Sequence, residues 1–228
     1  MIEYRDDLVQ GSEEWHAARC GLLTASEMRL IITPTLKIAD NDKTRAHLWE
    51  LLAQRITKHV EPQYIGDTML RGIDDEVEAL VAYGKHYAPV QQVGFVTNDK
   101  WGFTIGYSPD GLVGGDGLLE CKSRSQKYQV QTICDYVSNS MIDPDFAIQV
   151  QTALLVSERD WCDLVSYCGG MMMATVRVYP DEKIQSAIIE AALSFESKLA
   201  DKLAQYEKVI ASKARLIPTV RKPKVEMF

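Results

Sequence analysis

The sequence predicts an α/β protein of the α+β type, with a mixed β-sheet core flanked by helices. Segments rich in β-branched and aromatic residues cluster in the middle of the chain, where strands are favoured. Amphipathic helical patterns lie on both sides of that region. Helices and strands mixed in this order favour a sheet covered by helices over a helical bundle or a β-sandwich.

The N-terminal quarter of the chain predicts three helices. Two short helices are expected within residues 12–30, and Gly21 is placed to end the first of them. Thr24 and Glu27 have the spacing of a capping box, so we expect Thr24 to begin the second helix. Residues 43–59 have the apolar spacing of a longer amphipathic helix.

The next helix is predicted over residues 72–87. Val77, Leu80 and Val81 are expected to point inward from it. Glu76 lies near that inward face, where a carboxylate that serves only as a surface charge is not expected. Glu76 is therefore a candidate functional residue.

Strands and two further helices complete the prediction. Asp143 and Pro144 are typical of a helix start, with Asp as N-cap and Pro at the first helical position, and Gln149 borders the apolar stripe of that helix. A long helix is expected over residues 181–210. The predicted strands are residues 90–97, 101–107, 118–121, 161–168 and 174–179.

The composition indicates an ordinary globular protein. The chain has 228 residues, 46% of them hydrophobic and 25% charged, which fits a single domain over residues 1–228. No apolar run approaches the roughly 20 residues of a membrane helix, and the first residues lack the basic and apolar regions of a signal peptide. We therefore expect no membrane association and a location in the cytoplasm.

Cysteine and charge content exclude several classes of protein. The five cysteines are scattered without a Cys-x-x-Cys pair, so free thiols are expected rather than disulfides or a zinc site. The net charge of −7 disfavours a protein that coats nucleic acid, but it permits local contacts in a groove. Residues 208–228 form a basic tail, which is either simply solvated or a contact for DNA or an acidic partner.

A short acidic motif carries the strongest chemical signal. Asp110 follows Pro109, and Glu120 and Lys122 come after nine further residues, a P-D-x9-E-x-K pattern. Because side chains alternate along a strand, Glu120 and Lys122 share a face, while Cys121 can offer a metal only its backbone carbonyl. Two carboxylates that lie close together repel each other, which raises a carboxyl pKa unless a cation lies between them. The alternative is a surface Glu–Lys pair after a turn, which the apolar residues 118–119 disfavour.

The same residues carry a resemblance to a known family. The chain resembles the phage lambda exonuclease family, also called YqaJ-like viral recombinases, which are PD-(D/E)xK nucleases with a restriction-endonuclease-like core. The matching pieces occur in the family's order from Trp15 to Gln151. They are Trp15-His16, Arg19-x-Gly21-x-x-Thr24-Ala25-Ser26-Glu27, Gly72-x-x-x-Glu76-x-x-Ala79, Ser108-Pro109-Asp110-Gly111, Glu120-x-Lys122 and Gln149-Val150-Gln151.

The resemblance implies a set of site residues. The catalytic residues would be Asp110, Glu120, Lys122, Glu76 and Gln149, with metal held by Asp110, Glu120 and the Cys121 carbonyl. A 5′-phosphate pocket would contain Arg19, Ser26 and Ser108. This agrees with the residues themselves, since Arg19 and Ser26 flank a predicted helix start that favours anions.

The resemblance also implies an activity and partners. Members of the family are Mg²⁺-dependent exonucleases, with Mn²⁺ as a substitute, that degrade the 5′-ended strand of double-stranded DNA. They commonly form a homotrimeric ring and work with a single-strand annealing protein in recombination. A RecB-like nuclease module of other polarity and a non-catalytic DNA-recombination accessory protein remain as alternatives. The presence of all three core residues of the motif counts against the accessory protein.

Two positions depart from the family pattern. The prototype of the family has a further phosphate-binding arginine where this chain has Tyr128, so Arg124 or Lys127 takes that role in our prediction. A strand-separating apolar wedge would correspond to Met69 or Leu70.

Overall fold

The computed structural model describes residues 1–62 and 66–221. It contains two mixed β-sheets flanked by helices, which confirms the predicted α+β class and divides the expected single sheet into two. In chain order the helices and strands are β1 Ile2–Arg5, α1 Glu13–Arg19, β2 Leu23–Thr24, α2 Asp42–Thr57, α3 Asp67–His86, β3 Val90–Gln91, β4 Phe95–Asn98, β5 Ile105–Tyr107, β6 Gly111–Val113, β7 Gly117–Ser123, α4 Gln126–Gln131, α5 Pro144–Ser157, β8 Trp161–Tyr167, β9 Ala174–Val178 and α6 Glu182–Ile210.

The two sheets have different strand orders. The four-stranded sheet has the order β1-β4-β5-β2 and is antiparallel except for the β5–β2 pair. The five-stranded sheet has the order β3-β6-β7-β8-β9, in which only β7 and β8 run parallel. The parallel pair extends from Gly117 opposite Trp161 to Ser123 opposite Tyr167, so β7 is an interior strand with a fixed register.

Strand β7 separates two apolar clusters. Leu118 belongs to the larger cluster, which also contains buried residues of α2, α5 and α6. Leu119 and Cys121 belong to the smaller one, together with Ala79 and Tyr83 of α3. The alternation of β7 therefore places α3 on one side of this strand and α5 and α6 on the other.

The predicted helix start at Thr24 is wrong. Thr24 lies in β2, paired in parallel with Gly106 of β5, and only a 3₁₀ turn over Met28–Leu30 follows. The Thr24 hydroxyl donates to the Glu27 carboxylate at 2.5 Å instead of capping a helix. Pairing with β5 holds the backbone of Thr24 in an extended form, and a local capping pattern cannot reveal that partner.

The inward face predicted for α3 is also wrong in part. Val77 and Val81 are 55% and 65% exposed, whereas Ala79 and Tyr83 are buried against β7 and β8. The small Ala79 lets the helix lie close to the sheet, and the Tyr83 hydroxyl donates to Asp163 of β8 at 2.6 Å. The hydrophobicity of the valines therefore indicated the wrong face.

Other predicted boundaries of strands and helices also differ from those in the structure. The predicted strand over residues 90–97 is split into β3 and β4, which lie in different sheets, and β1, β6 and α4 were not predicted. Residues 208–210 of the predicted tail are the last turn of α6, and its residues 222–228 lie outside the described residues. The start of α5 at Asp143 and Pro144 is confirmed, with the Asp143 carboxylate accepting from the Asp145 amide. Among the helices that the structure describes, none is long and apolar enough to cross a bilayer.

The long helix α6 offers a test of the larger cluster. Phe195 is 3% exposed and stacks on His47 of α2 with ring centroids 5.6 Å apart, while Leu193 on the same helix is 49% exposed. We expect Phe195→Ala to lower the free energy of unfolding by about 3–5 kcal/mol because it removes a buried ring. Leu193→Ala should change it by less than about 1 kcal/mol. Urea denaturation of both variants measures the difference, and equal losses would contradict this packing.

Candidate active site

Glu120 is the centre of a buried polar cluster on β7. Its side chain shares a face with Lys122, whose Nζ donates to Glu120 Oε1 at 2.6 Å. Gln149 of α5 contacts both, because it accepts from Lys122 Nζ at 3.1 Å and donates its amide to Glu120 Oε1. Glu120 is 2% exposed, so its charge is balanced almost entirely by these protein groups.

Tyr107 completes the contacts of the Glu120 carboxylate. Its hydroxyl, at the end of β5, donates to Glu120 Oε2 at 2.8 Å, so both carboxylate oxygens accept hydrogen bonds. Burial and the charge of Glu120 raise the pKa of Tyr107 well above its usual range, which keeps the phenol a donor. The sequence reasoning did not identify Tyr107, although strand alternation in an apolar segment next to the motif offered a weak signal.

Asp110 approaches Glu120 through the backbone of β7. It lies between β5 and β6, and its Oδ2 accepts from the Cys121 amide at 2.6 Å. Burial, followed by the charge of Glu120, raises the pKa of Asp110 well above its usual range. The Cys121 side chain lies in the smaller apolar cluster on the other face of the strand. The structure therefore gathers Asp110, Glu120 and Lys122 around one short stretch of β7.

Glu76 of α3 belongs to the same electrostatic environment. Burial and then the charge of Glu120 raise the pKa of this half-buried carboxyl, while Lys122 opposes the rise. Burial alone would lower the pKa of the Lys122 ammonium, but the charges of Glu120 and Asp110 outweigh burial and raise it. Three carboxylates and one ammonium thus influence one another in this part of the protein.

Two hydrogen bonds hold α3 against the strands that carry the cluster. Ser123, the residue after Lys122, donates its hydroxyl to Asp75 Oδ2 at 2.5 Å, next to Glu76. Two turns further along α3, Tyr83 donates to Asp163, which also accepts two bonds from Arg177 at 2.8 and 2.9 Å. The sequence reasoning missed these contacts because they join residues far apart in the chain.

The donor set fits a hard divalent cation. Asp110 and the buried Glu120 supply carboxylate oxygen ligands, and their mutual repulsion is what a cation would relieve. Within residues 1–62 and 66–221, no three His, Cys, Asp or Glu side chains lie close enough together to hold a metal by themselves. A magnesium site with two carboxylates, a backbone carbonyl and several waters needs no third side chain, since Mg²⁺ usually keeps much of its hydration shell.

A second polar cluster joins the predicted phosphate-binding residues. Arg19 Nη1 and Trp15 Nε1 donate to Ser108 Oγ at 2.8 and 3.1 Å. Arg19 also lies 3.5 Å from Thr24 Oγ1, which is 3.4 Å from Ser26 Oγ, and its guanidinium stacks over Trp15 at 4.3 Å. The structure thus brings Arg19, Ser26 and Ser108 together, with Trp15 and Thr24 as additional members.

The charge of Arg19 is poorly compensated. Burial lowers the pKa of its guanidinium, and the charge of Glu27 only partly opposes this. Among the ion pairs of the described residues, none involves Arg19. A partly buried arginine without a carboxylate partner favours the binding of an anion. Ser108 is only two residues from Asp110, so this cluster adjoins the carboxylate site.

Arg124 and Lys127 form a separate group. Arg124 donates to Asp143 Oδ2 at 2.8 Å and packs over the rings of Tyr128 and Phe146, each 5.1 Å from its guanidinium carbon. Lys127 Nζ lies 4.6 Å from the centroid of Tyr128. None of the hydrogen bonds described for this group reaches Arg19 or Ser108. Phe146 connects it to the carboxylate site instead, because Lys122 Nζ lies 5.5 Å from the same ring.

The candidate wedge residues lie at the start of α3. Met69 and Leu70 are exposed rather than packed in the core. They occupy the first turns of the helix that carries Glu76.

Fold and site together define the class of protein. A mixed sheet gathers the P-D-x9-E-x-K motif around one strand. A preceding helix adds a glutamate and a following helix adds a glutamine. This is the arrangement of a PD-(D/E)xK nuclease. Residues 14–160, more than half of the chain, match the YqaJ-like viral recombinase domain. The chain therefore belongs to the YqaJ-like viral recombinase family.

Solved structures agree with this assignment. The chain is similar to an alkaline exonuclease (LHK-Exo) from Laribacter hongkongensis, with a TM-score of 0.76, 28% identity, and coverage of 88% of this chain and 98% of that one. A structure of LHK-Exo in complex with dAMP gives the same values. A phage related exonuclease from Haemophilus somnus 129PT shares the fold, with a TM-score of 0.56, 12% identity, and coverage of 82% and 96%. A search of the curated proteins gave no match.

Two buried tyrosines allow a matched test of the cluster. Tyr107→Phe leaves Glu120 Oε2 without a described hydrogen bond, whereas after Tyr83→Phe both oxygens of Asp163 still accept from Arg177. We expect Tyr107→Phe to lower the free energy of unfolding by about 1–3 kcal/mol, because a buried carboxylate oxygen loses its donor. Tyr83→Phe should cost about 0.5–1.5 kcal/mol. Urea denaturation compares them, and a larger loss in Tyr83→Phe would contradict the central place of Glu120.

Proposed function

We propose that the protein is a Mg²⁺-dependent 5′-to-3′ exonuclease that digests one strand of linear double-stranded DNA from a 5′-phosphorylated end, in phage-type recombination. One observation carries the proposal. The Arg19–Ser108 pair lies two residues along the chain from Asp110, so an anion pocket adjoins the carboxylate site. Family membership and the similarity to an alkaline exonuclease support the same conclusion.

The phosphate pocket accounts for the preference for strand ends. A terminal 5′-phosphate carries more negative charge than an internal phosphodiester and can accept more hydrogen bonds. Arg19 would bind it through the guanidinium, and Ser108 and Ser26 through their hydroxyls. The structure of a similar exonuclease with dAMP supports a mononucleotide as the product. For the additional cation, Lys127 is favoured over Arg124, because the charge of Arg124 is already paired with Asp143.

Each residue of the carboxylate site has a role in hydrolysis. Asp110, Glu120 and the Cys121 carbonyl would hold Mg²⁺, with Glu76 assisting, and the bound ion would neutralise charge on the scissile phosphate and acidify water. Lys122 orients the attacking water as an ammonium or, in its neutral form, deprotonates it. Gln149 fixes the Lys122 ammonium and the Glu120 carboxylate relative to each other, since it bonds to both. This preorganisation limits the reorganisation needed when the 3′-oxygen is displaced in line.

The remaining features of the proposal concern assembly and partners. The family resemblance supports a homotrimer that encloses DNA, cooperation with a single-strand annealing protein, and activity in the cytoplasm of a bacterial host. Met69 and Leu70 are exposed at the start of the helix that carries Glu76, a position suited to separating the strands of the duplex next to the site.

Cleavage of linear duplex DNA tests the chemistry. With Mg²⁺ or Mn²⁺ we expect release of mononucleotides, and Lys122→Ala should reduce the rate by about 100-fold or more, as for loss of a group that handles a proton in the transition state. Lys100→Ala is the matched control, because Lys100 pairs with Glu158 at the surface, and its rate should be unchanged. Absence of metal-dependent activity, or full activity in Lys122→Ala, would contradict the proposal. Selective labelling of each strand end reports polarity and separates it from a RecB-like module.

The ratio of two cleavage rates tests the phosphate pocket separately. Each variant is given duplexes that differ only in having a 5′-phosphate or a 5′-hydroxyl. The unaltered protein should prefer the phosphate, and Arg19→Ala should reduce this preference by about 10-fold or more, since a charge-assisted contact contributes roughly 1.5–3 kcal/mol. Arg45→Ala, which removes a surface arginine paired with Asp40 and Asp42, should keep the ratio. An unchanged ratio in Arg19→Ala would place the end-binding site elsewhere.

A further inference from the structure

The turn that follows α1 joins the two sides of the proposed phosphate pocket. Arg19 is the last residue of α1, whereas Thr24 ends β2 and Ser26 comes two residues later. Between them Gly21 has a φ of +74°, a left-handed backbone that ends the helix and that favours glycine. The position of the Arg19 guanidinium relative to the Ser26 hydroxyl therefore depends on how this turn is held.

Two neighbouring side chains of α2 bind the backbone of Gly21. Gln54 Oε1 accepts from the Gly21 amide at 2.8 Å, and Arg55 Nε donates to the Gly21 carbonyl, also at 2.8 Å. A Cβ atom at Gly21 would lie 2.7 Å from Cγ of Arg55, so the turn packs directly on the arginine side chain. Both backbone polar groups of Gly21 are thus held by α2.

Glu196 of α6 holds Arg55 in this position. The two Nη atoms of Arg55 donate to the two carboxylate oxygens of Glu196 at 2.7 and 2.6 Å, a bidentate pair. The two side chains are 27% and 15% exposed, whereas Arg45 at the surface of the same helix is 57% exposed. Because Glu196 neutralises its charge, Arg55 is suited to holding the turn rather than to binding a phosphate. We call Gln54, Arg55 and Glu196 the Gly21 clamp.

We propose that Arg55 and Glu196 are positioning residues for recognition of the 5′-phosphate. The proposal rests on the proposed function, since Arg19 is the group that contacts the phosphate. Arg55 fixes Gly21 and thereby the end of α1. From that end the Arg19 guanidinium reaches Ser108. Without the Gly21 clamp the turn is free to move, and part of the binding energy of the phosphate is used to order Arg19 again.

The ratio of cleavage rates on 5′-phosphorylated and 5′-hydroxyl duplexes tests the Gly21 clamp. Arg55→Gln and Glu196→Gln should each lower this ratio by about 3-fold or more, because the turn is no longer held. Arg45→Ala removes an exposed, ion-paired arginine of the same helix and should keep the ratio. A variant that merely loses stability lowers both rates to the same degree. An unchanged ratio in both clamp variants would therefore overturn the proposal, and thermal unfolding verifies that they are folded.

A double variant shows whether the Gly21 clamp acts through Arg19. If it does, Arg19→Ala combined with Arg55→Gln should have the same ratio as Arg19→Ala alone, since the group that the clamp positions is already gone. A further fall in the double variant would contradict the proposal. An unchanged ratio in Arg19→Ala would remove the phosphate pocket and the clamp together. A reduced ratio in Arg19→Ala beside an unaltered one in Arg55→Gln would remove the clamp alone and leave the proposed function standing.

A substitution in the turn tests the same contact without altering the ion pair. Gly21→Ala places a Cβ atom against Arg55 in a left-handed backbone, so it should displace the arginine and lower the ratio. Gly102→Ala is the matched control, because Gly102 has a φ of +84° but nothing within 4 Å of its Cβ position, and it should keep the ratio. Equal ratios in the two alanine variants would rule out the proposal. Binding of labelled duplexes in EDTA, measured by fluorescence anisotropy, should give the same order of phosphate preference without cleavage.

Discussion

The buried carboxylate of Glu120 is the constraint on which the site depends. Removing an ion from water costs several kcal/mol unless other groups compensate for the lost hydration. Here the compensation comes from Tyr107 of β5, from Lys122 of β7, the strand that carries Glu120, and from Gln149 of α5. Satisfying one charge therefore fixes three structural elements relative to each other. The polar groups of the candidate site are therefore oriented in advance, which is the condition for electrostatic catalysis.

The same charge makes the site unfavourable for stability. Burial and the field of Glu120 raise the pKa values of Asp110 and Glu76, so the charge of Glu120 destabilises the ionised form of both carboxyls. The Cys121 amide and the Lys122 ammonium offset part of this repulsion. Functional sites often store such strain, and a hard cation would relieve it. The bonds from Ser123 and Tyr83 that fasten α3 to the sheet keep Glu76 in this repulsive environment.

Local sequence patterns correctly predicted the position of a residue where that position depends on a single strand or helix. Alternation along β7 was enough to put Glu120 and Lys122 on one face, and the cap at Asp143 correctly began α5. Contacts that depend on pairing between distant segments could not be read in advance. Thr24 resembles a helix cap until β5 is known to lie beside it, and Tyr107 reaches Glu120 only because two sheets meet. The roles that the family resemblance implies remain predictions, although the structure brings most of the residues concerned close together.

The short segment from Ser108 to Asp110 would connect end binding to cleavage in the proposed mechanism. Ser108 accepts from Arg19 and Trp15, and Asp110 is held by the Cys121 amide, so both ends of the segment are fixed. Pro109 between them restricts the backbone. Across two peptide units the Cα atoms are at most about 7 Å apart, so in the proposed mechanism the phosphate in the pocket and the bond at the carboxylates would belong to neighbouring nucleotides. The spacing of the segment, rather than any reading of base sequence, would then set how much of the strand is removed in each step.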